Sequence, residues 1–187
     1  MFFSEILNTL IDAKSWGVDH IFTAVSLIFT VIAGIFAYRQ WSVSNKIRTS
    51  EFINQILDKI RFDKELADMM YVIDYSVSWY KGHFQNCDKD FEFKMDKLLS
   101  YLSYICYLWK EKRITEKEFR VLKYEVNRVC NSYDVQSYLW NLYHFAKRNH
   151  AECSFQYLID YGIKEKLIDA KTFRDPKSGQ YEKNLNF

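Results

Sequence analysis

His144, His150 and Cys153 come nearest in this sequence to a metal-ligating set, imidazole and thiolate being the groups that hold zinc. A fourth nearby ligand is lacking, and the spacing does not bring all three to one face of a helix, so no metal is expected. Asp88, Asp90 and Glu92 are suited in type to acid–base work, yet they fall at a loop and a helix start, where the helix dipole favours carboxylates without any catalysis. There is no phosphate-cradling glycine loop, no HExxH, no nucleophile elbow and no zinc-type cysteine pairing. Neither catalysis nor a cofactor nor a small-molecule substrate is expected. The more informative polar groups are the hydroxyls of Thr23, Ser26 and Thr30. With Ala33 and Ala37 they recur at intervals of three and four, and Ser26, Thr30 and Gly34 form a small-xxx-small series. A stripe of this kind lets membrane helices approach closely, and its hydroxyls suit either helix contact or the lining of a pore. The alternative is that small residues are common in membrane helices and this alignment is accidental.

The element that must carry this stripe runs from Ile21 to Tyr38, IFTAVSLIFTVIAGIFAY, without a charge. As a helix it spans about 27 Å of a hydrocarbon core about 30 Å thick, so residues 18–41 are expected to form a transmembrane helix. Glu5, Asp12 and Asp19 precede it, no basic n-region is present and no small-x-small site follows Ala37, which argues against a cleaved signal. Arg39, Lys46 and Arg48 follow the span while a single Lys14 precedes it, which puts the C-terminal part on the cytoplasmic side. Trp16 on one side and Tyr38 with Trp41 on the other suit the headgroup region as anchors, beside Arg39. Phe3, Ile6, Leu7, Leu10 and Ile11 share a face opposite Ser4, Glu5, Asn8, Thr9 and Asp12, so residues 1–17 are expected to form an amphipathic interfacial helix.

Residues 42–165 read as one helical domain and 166–187 as a turn-rich C-terminal extension containing Asp175-Pro176-Lys177-Ser178-Gly179, either mobile or packed against a neighbouring subunit. The 187 residues hold 5 Gly and 1 Pro against 49% hydrophobic and 18% aromatic residues, a composition short of the turns a many-stranded sheet needs. The expected class is all-α, with about five packed helices after the span. Phe52, Ile53, Ile56, Leu57 and Ile60 recur at helical spacing, with Ser50 as a cap unless the membrane helix continues. A helix over Leu66 to Tyr80 and a loop over Gly82 to Asp90 follow. A helix over Phe91 to Lys112 presents Met95, Leu98, Leu99, Leu102, Ile105, Cys106 and Trp109, and turns into a capping box of Thr115 and Glu118. Helices marked by Phe119 to Val129 and Val135 to Phe145 flank a turn at Asn131 to Asp134, and a last one near Cys153 to Tyr161 ends on a left-handed Gly162. Cys87, Cys106, Cys130 and Cys153 read as reduced core residues of a cytosolic domain. The net charge of +2, from 26 basic and 24 acidic residues, gives no global field for gathering nucleic acid.

The segment Leu98-Leu-Ser-Tyr-Leu-Ser-Tyr-Ile-Cys-Tyr-Leu-Trp109, turning through Ile114-Thr-Glu-Lys-Glu-Phe119 behind a single span, resembles bacterial membrane-anchored helical proteins of antiviral systems. Within that group the layout of most of the chain is similar to the small membrane accessory proteins of type VI-B, RNA-targeting CRISPR loci. The resemblance implies an HEPN-like helical fold, oligomeric pores that depolarise an infected cell, and contact with an RNA-guided effector or its RNA product. HEPN nucleases use an Arg and a His separated by four to six residues, and none of His20, His83, His144 or His150 follows an Arg in that way. Arg148-Asn149-His150 is the closest approximation, but on a helix its two side chains diverge by about 200°. Arg148 and His150 therefore read as a solvated helix end, an intersubunit contact, or a vestige of such a site.

Three readings follow. The leading one is a ring-shaped homo-oligomeric pore in a bacterial inner (plasma) membrane, with the helical domain cytoplasmic. The second is a membrane-tethered adaptor that binds a protein partner. The third is a degenerate HEPN ribonuclease that requires Arg148 and His150.

Overall fold

The structure is a computed structural model that describes residues 17–80, 89–178 and 180–181. Seven helices account for its regular structure, and no strand occurs among the described residues. They are α1 (Val18–Phe62), α2 (Lys64–Asp74), α3 (Lys89–Lys110), α4 (Glu116–Cys130), α5 (Tyr133–Arg148), α6 (Gln156–Lys164) and α7 (Ala170–Arg174). The all-α class is thus as composition implies. The chain divides into two units, Met1–Glu51 and Phe52–Phe187. The expected interfacial helix over residues 1–17 falls almost wholly outside the described residues.

In the first unit α1 is helical without a break to residue 51, where that unit ends, and its apolar window has no buried residue. It does not restart at Ser50, and the expected end of the span near residue 41 is not marked by any break in hydrogen bonding. The helix stops at Phe62 because Asp63 leaves helical geometry (φ −68°, ψ 113°) and its Oδ1 accepts the N–H groups of Glu65 and Leu66, opening α2.

In the second unit the helical periodicities become one core. Ile53, Ile56, Leu57 and Ile60 are buried, and Met95, Leu98, Leu99, Leu102 and Ile105 of α3 are sealed completely. Helix α3 packs against α2, α4 and α6, and α4 packs in turn against α2, α5 and α6. The Thr115 capping box is complete: Thr115 Oγ1 accepts the Glu118 N–H at 3.3 Å, and Glu118 Oε2 accepts the Thr115 N–H at 2.7 Å.

Four helix ends share one device. After α2, α3, α5 and α6 the chain turns through Ser76, Lys112, His150 and Lys166, each left-handed with φ between 50° and 60°. At each end two reverse hydrogen bonds close the last turn, as in Leu167 N–H to Gly162 O and Lys166 N–H to Ile163 O. These are Schellman motifs built without glycine, so each residue carries the strain that a Cβ adds in this region. Gly162 is not the left-handed residue that ends α6; it lies inside the helix, buried, where a Cβ would stand 2.6 Å from Ile168 Cδ1. Its lack of a side chain serves close packing rather than chain reversal.

The helix expected over Leu66 to Tyr80 ends instead at Asp74, and residues 77–80 continue without helical structure. Asp134, expected in the turn before this helix, lies in its first turn and takes the N–H groups of Trp79 and Tyr80 on Oδ2 at 2.8 and 3.3 Å. Helix α5 begins behind Ser132 without a side-chain cap. Of the C-terminal extension, Phe173 of α7 and Tyr181 are buried against α5, Tyr181 stacking on Trp140 and Phe173 meeting Tyr143.

Candidate functional site

Along α1 the structure places Thr23, Ser26, Thr30, Ala33, Gly34 and Ala37 on an exposed helix, with nothing within 4 Å of where a Gly34 Cβ would stand. Thr23 Oγ1 donates to Asp19 O at 2.8 Å and Thr30 Oγ1 to Ser26 O at 2.9 Å. Both hydroxyls are thus satisfied by their own helix one turn back, which removes most of the cost of placing them in hydrocarbon. Ile21, Phe22, Leu27, Ile28, Phe29, Val31, Ile32, Ile35 and Phe36 surround them, exposed. Tyr38 and Trp41 are exposed with ring centroids 6.2 Å apart, next to exposed Arg39, a grouping suited to a headgroup layer. Trp16 lies outside the described residues. Among the described residues α1 is the one helix long and apolar enough to cross a membrane.

The candidates in the second unit are scattered. His150 forms the left-handed turn after α5, exposed, while Arg148 is the last helical residue, also exposed. His144 is buried, its Nε2 3.0 Å from Phe173 O, and burial holds its imidazole below the usual protonation range. Cys153 is buried and burial raises its thiol, as it does for Cys106 and for Cys130, which is pushed up to about 12. All three are inert thiols at neutral pH. No three His, Cys, Asp or Glu side chains are arranged to hold a metal ion among the described residues. Asp88 lies outside those residues, and Asp90 is in the first turn of α3, where Oδ2 pairs with Lys94 at 2.5 Å.

Three arrangements were not visible in the sequence. One centres on Tyr138, buried on α5, whose Oη lies 2.6 Å from Asp96 Oδ1 and 3.2 Å from Glu92 Oε1. Burial raises both carboxyls above their ordinary range, against the lowering effect of the Tyr138 hydroxyl. A second buried polar group lies on α4, where Arg128 bridges Asp74 at 3.0 Å and Glu125 at 3.2 Å.

The third arrangement is a cleft of about 650 Å³ between the end of α3, the start of α4 and α6. Its wall is Trp109, held by its indole N–H donating to Glu116 Oε2 at 2.8 Å and backed by Phe119, stacked at 4.8 Å. Tyr161 meets the same indole edge-on at 5.6 Å and donates to Asn127 Oδ1 at 2.5 Å; burial raises its phenol, which stays neutral. Lys164 Nζ sits 3.9 Å from the centre of the Trp109 ring, and Lys110 Nζ lies 5.0 Å from that of Tyr157 and 3.2 Å from Asp160 Oδ2. In the sequence Trp109 counts as one more apolar residue of α3. The remaining signal is Lys110-Glu-Lys112 at a helix end, which is common on any solvated turn.

Compared with known proteins, the chain matches no family, no curated protein and no solved structure.

Proposed function

We propose that this chain is a single-pass protein of a bacterial inner membrane that assembles with copies of itself into a pore, with its helical domain on the cytoplasmic side as the controlling element. The observation that carries the reading is the apolar window of α1, none of it buried within the protomer. An exposed apolar surface of that length needs lipid or other helices as its solvent. The small-residue stripe from Thr23 to Ala37 supplies a face for close helix contact, and the positive flank of Arg39, Lys46 and Arg48 orients it. Defence by depolarisation, and contact with an RNA-guided effector or its RNA product, rest on the resemblance to type VI-B accessory proteins. Arg148 and His150 stand at an exposed helix end, neither with an ion-pair partner among the described residues, which favours the pore over a nuclease.

Leakage of an ionic dye from liposomes reconstituted with the full chain tests this. Release by the full chain, lost when Ser26 and Thr30 are both replaced by Leu or the chain is truncated before Arg39, is the expected result. Tight liposomes holding verified, inserted oligomers would remove the pore and leave a membrane-tethered adaptor.

A further inference from the structure

The cleft beside Trp109 has the size of a small-molecule site and is walled by aromatic rings. Its charges are unequally engaged. Asp160 is occupied on both oxygens, by Lys110 at 3.2 Å and by the Gln156 amide at 2.7 Å. Glu116 holds the indole N–H. Lys112, at the left-handed turn after α3, has no ion-pair partner among the described residues, and Lys164 has only the Trp109 π-face. The cleft therefore offers two ammonium groups with no carboxylate partner among the described residues, and an aromatic ring that Lys164 covers and Phe119 stacks against.

We infer that this cleft binds a nucleoside phosphate, its base stacked on the face of Trp109 that Lys164 covers and its phosphate held by Lys112 and Lys164. A planar base entering the cleft takes the position of the Lys164 ammonium, which is then released to pair with the incoming anion. The exchange is favourable because stacking of a base on an aromatic ring is worth more than an exposed cation–π contact, and the lysine keeps a partner. Two ammonium groups match a phosphate monoester, which carries about −1.5 to −2 charges at neutral pH, better than they match a single carboxylate. The same chemistry is presented by a free mononucleotide and by the 5′-phosphate end of an RNA strand. All the residues involved belong to the second unit, so the inference stands or falls apart from the membrane reading.

The test is equilibrium dialysis of the full chain, in detergent, against labelled adenosine 5′-monophosphate, with adenosine and ribose 5-phosphate as the separated halves. The nucleotide is expected to bind roughly tenfold or more tightly than either half, and Lys112→Glu and Lys164→Glu, both at exposed positions, are each expected to weaken it by about tenfold. Equal binding of ribose 5-phosphate would overturn the inference, since the aromatic face would then contribute nothing. Unchanged nucleotide binding in both variants, with native circular dichroism, would overturn it as well, as would no nucleotide binding by the wild-type chain at millimolar concentration. A 5′-phosphorylated tetra-adenylate separates the sources: binding well above that of the mononucleotide supports an RNA end as occupant, and equal binding supports a free nucleotide.

Discussion

Asp134 and Trp79 are 55 residues apart, and the carboxylate of one accepts the backbone N–H of the other at 2.8 Å. This contact, extended to Tyr80 at 3.3 Å, holds a non-helical strand of chain against α5, where Trp79 and Tyr80 both meet the Tyr138 ring edge-on. Asn141 donates to the Tyr80 hydroxyl from the same helix. Removing the carboxylate leaves two backbone donors without their acceptor in a partly buried place. Asp134→Ala is therefore expected to destabilise the domain by about 1–3 kcal/mol, and Asp134→Asn, which keeps an acceptor oxygen, by less. Urea unfolding followed by far-ultraviolet circular dichroism measures both.

Gly162 and Ile168 form a second testable pair. Replacing Gly162 by Ala gains helix propensity, on the order of 1 kcal/mol, but brings a methyl group within 2.6 Å of Ile168 Cδ1 in a sealed core, where overpacking costs about 1–3 kcal/mol. A net loss is expected in the wild-type background. In an Ile168→Ala background both close atoms, Cδ1 at 2.6 Å and Cγ1 at 2.9 Å, are gone, so the same Gly162→Ala change should be markedly less harmful. A double-mutant cycle by thermal unfolding reads the coupling, and additive effects would show that the two groups do not meet.

The left-handed lysines give a prediction of the opposite sign. Lys166 adopts φ 60° at an exposed turn, and glycine there removes the Cβ strain while retaining the two reverse hydrogen bonds of the motif. Lys166→Gly is expected to stabilise by about 0.5–1 kcal/mol after the entropy of the unfolded glycine is counted, whereas Lys166→Val should destabilise. Melting temperatures of the two variants should move in opposite directions.

Acidification tests the Tyr138 site. Glu92 and Asp96 have carboxyls raised above their ordinary values of 4.5 and 3.8, first by burial, so the folded state binds their protons more readily than the unfolded chain does. Their contribution to stability is complete below the ordinary values and is lost as pH rises through the raised ones. Asp63 and Asp169 are shifted the other way and lose stabilisation on acidification, so the total pH profile mixes both signs. The comparison that isolates the site is wild type against Asp96→Asn. As the pH falls from neutral towards the ordinary carboxyl value of 3.8, the wild type should gain stability relative to this variant. A difference independent of pH would show that Asp96 is not titrating with folding.

The contrast between Thr115 and Ser76 shows what one sequence makes legible. Thr115 and Glu118 are three residues apart and complete a motif that needs nothing else, so the start of α4 can be read directly. The apolar spacing of Ile53 to Ile60 and Met95 to Ile105 likewise names residues that the core then buries, because a helix repeats locally. The end of α2 is different. It depends on a left-handed serine that no composition rule favours and on a carboxylate supplied from α5, so periodicity alone carries the helix too far. Gly162 misleads for a related reason: glycine marks a turn more often than a close approach, and Ile168 is brought to it only by the fold. The cleft is illegible in the same way, since Trp109 and Lys164 meet only once α3 and α6 have packed.

Thr30 and Gly34 separate two ways in which the span could bring copies together. The Thr30 hydroxyl already donates to Ser26 O at 2.9 Å within its own helix, so association through this stripe is expected to depend on close backbone approach rather than on hydrogen bonds across the interface. Thr30→Val keeps the shape and removes the hydroxyl; it should leave both oligomer size and dye release within about twofold of wild type, since interhelical bonds in membranes contribute little on average. Gly34→Leu fills space that is open within the protomer, and Ala33→Leu enlarges the next side chain along. Both should insert normally and both should dissociate the oligomer, seen as loss of crosslinked species in detergent and loss of release from liposomes. Loss of assembly in Thr30→Val with retention in Gly34→Leu would reverse this assignment and make the hydroxyl, shared across the interface or facing a water-filled lumen, the group on which the assembly depends.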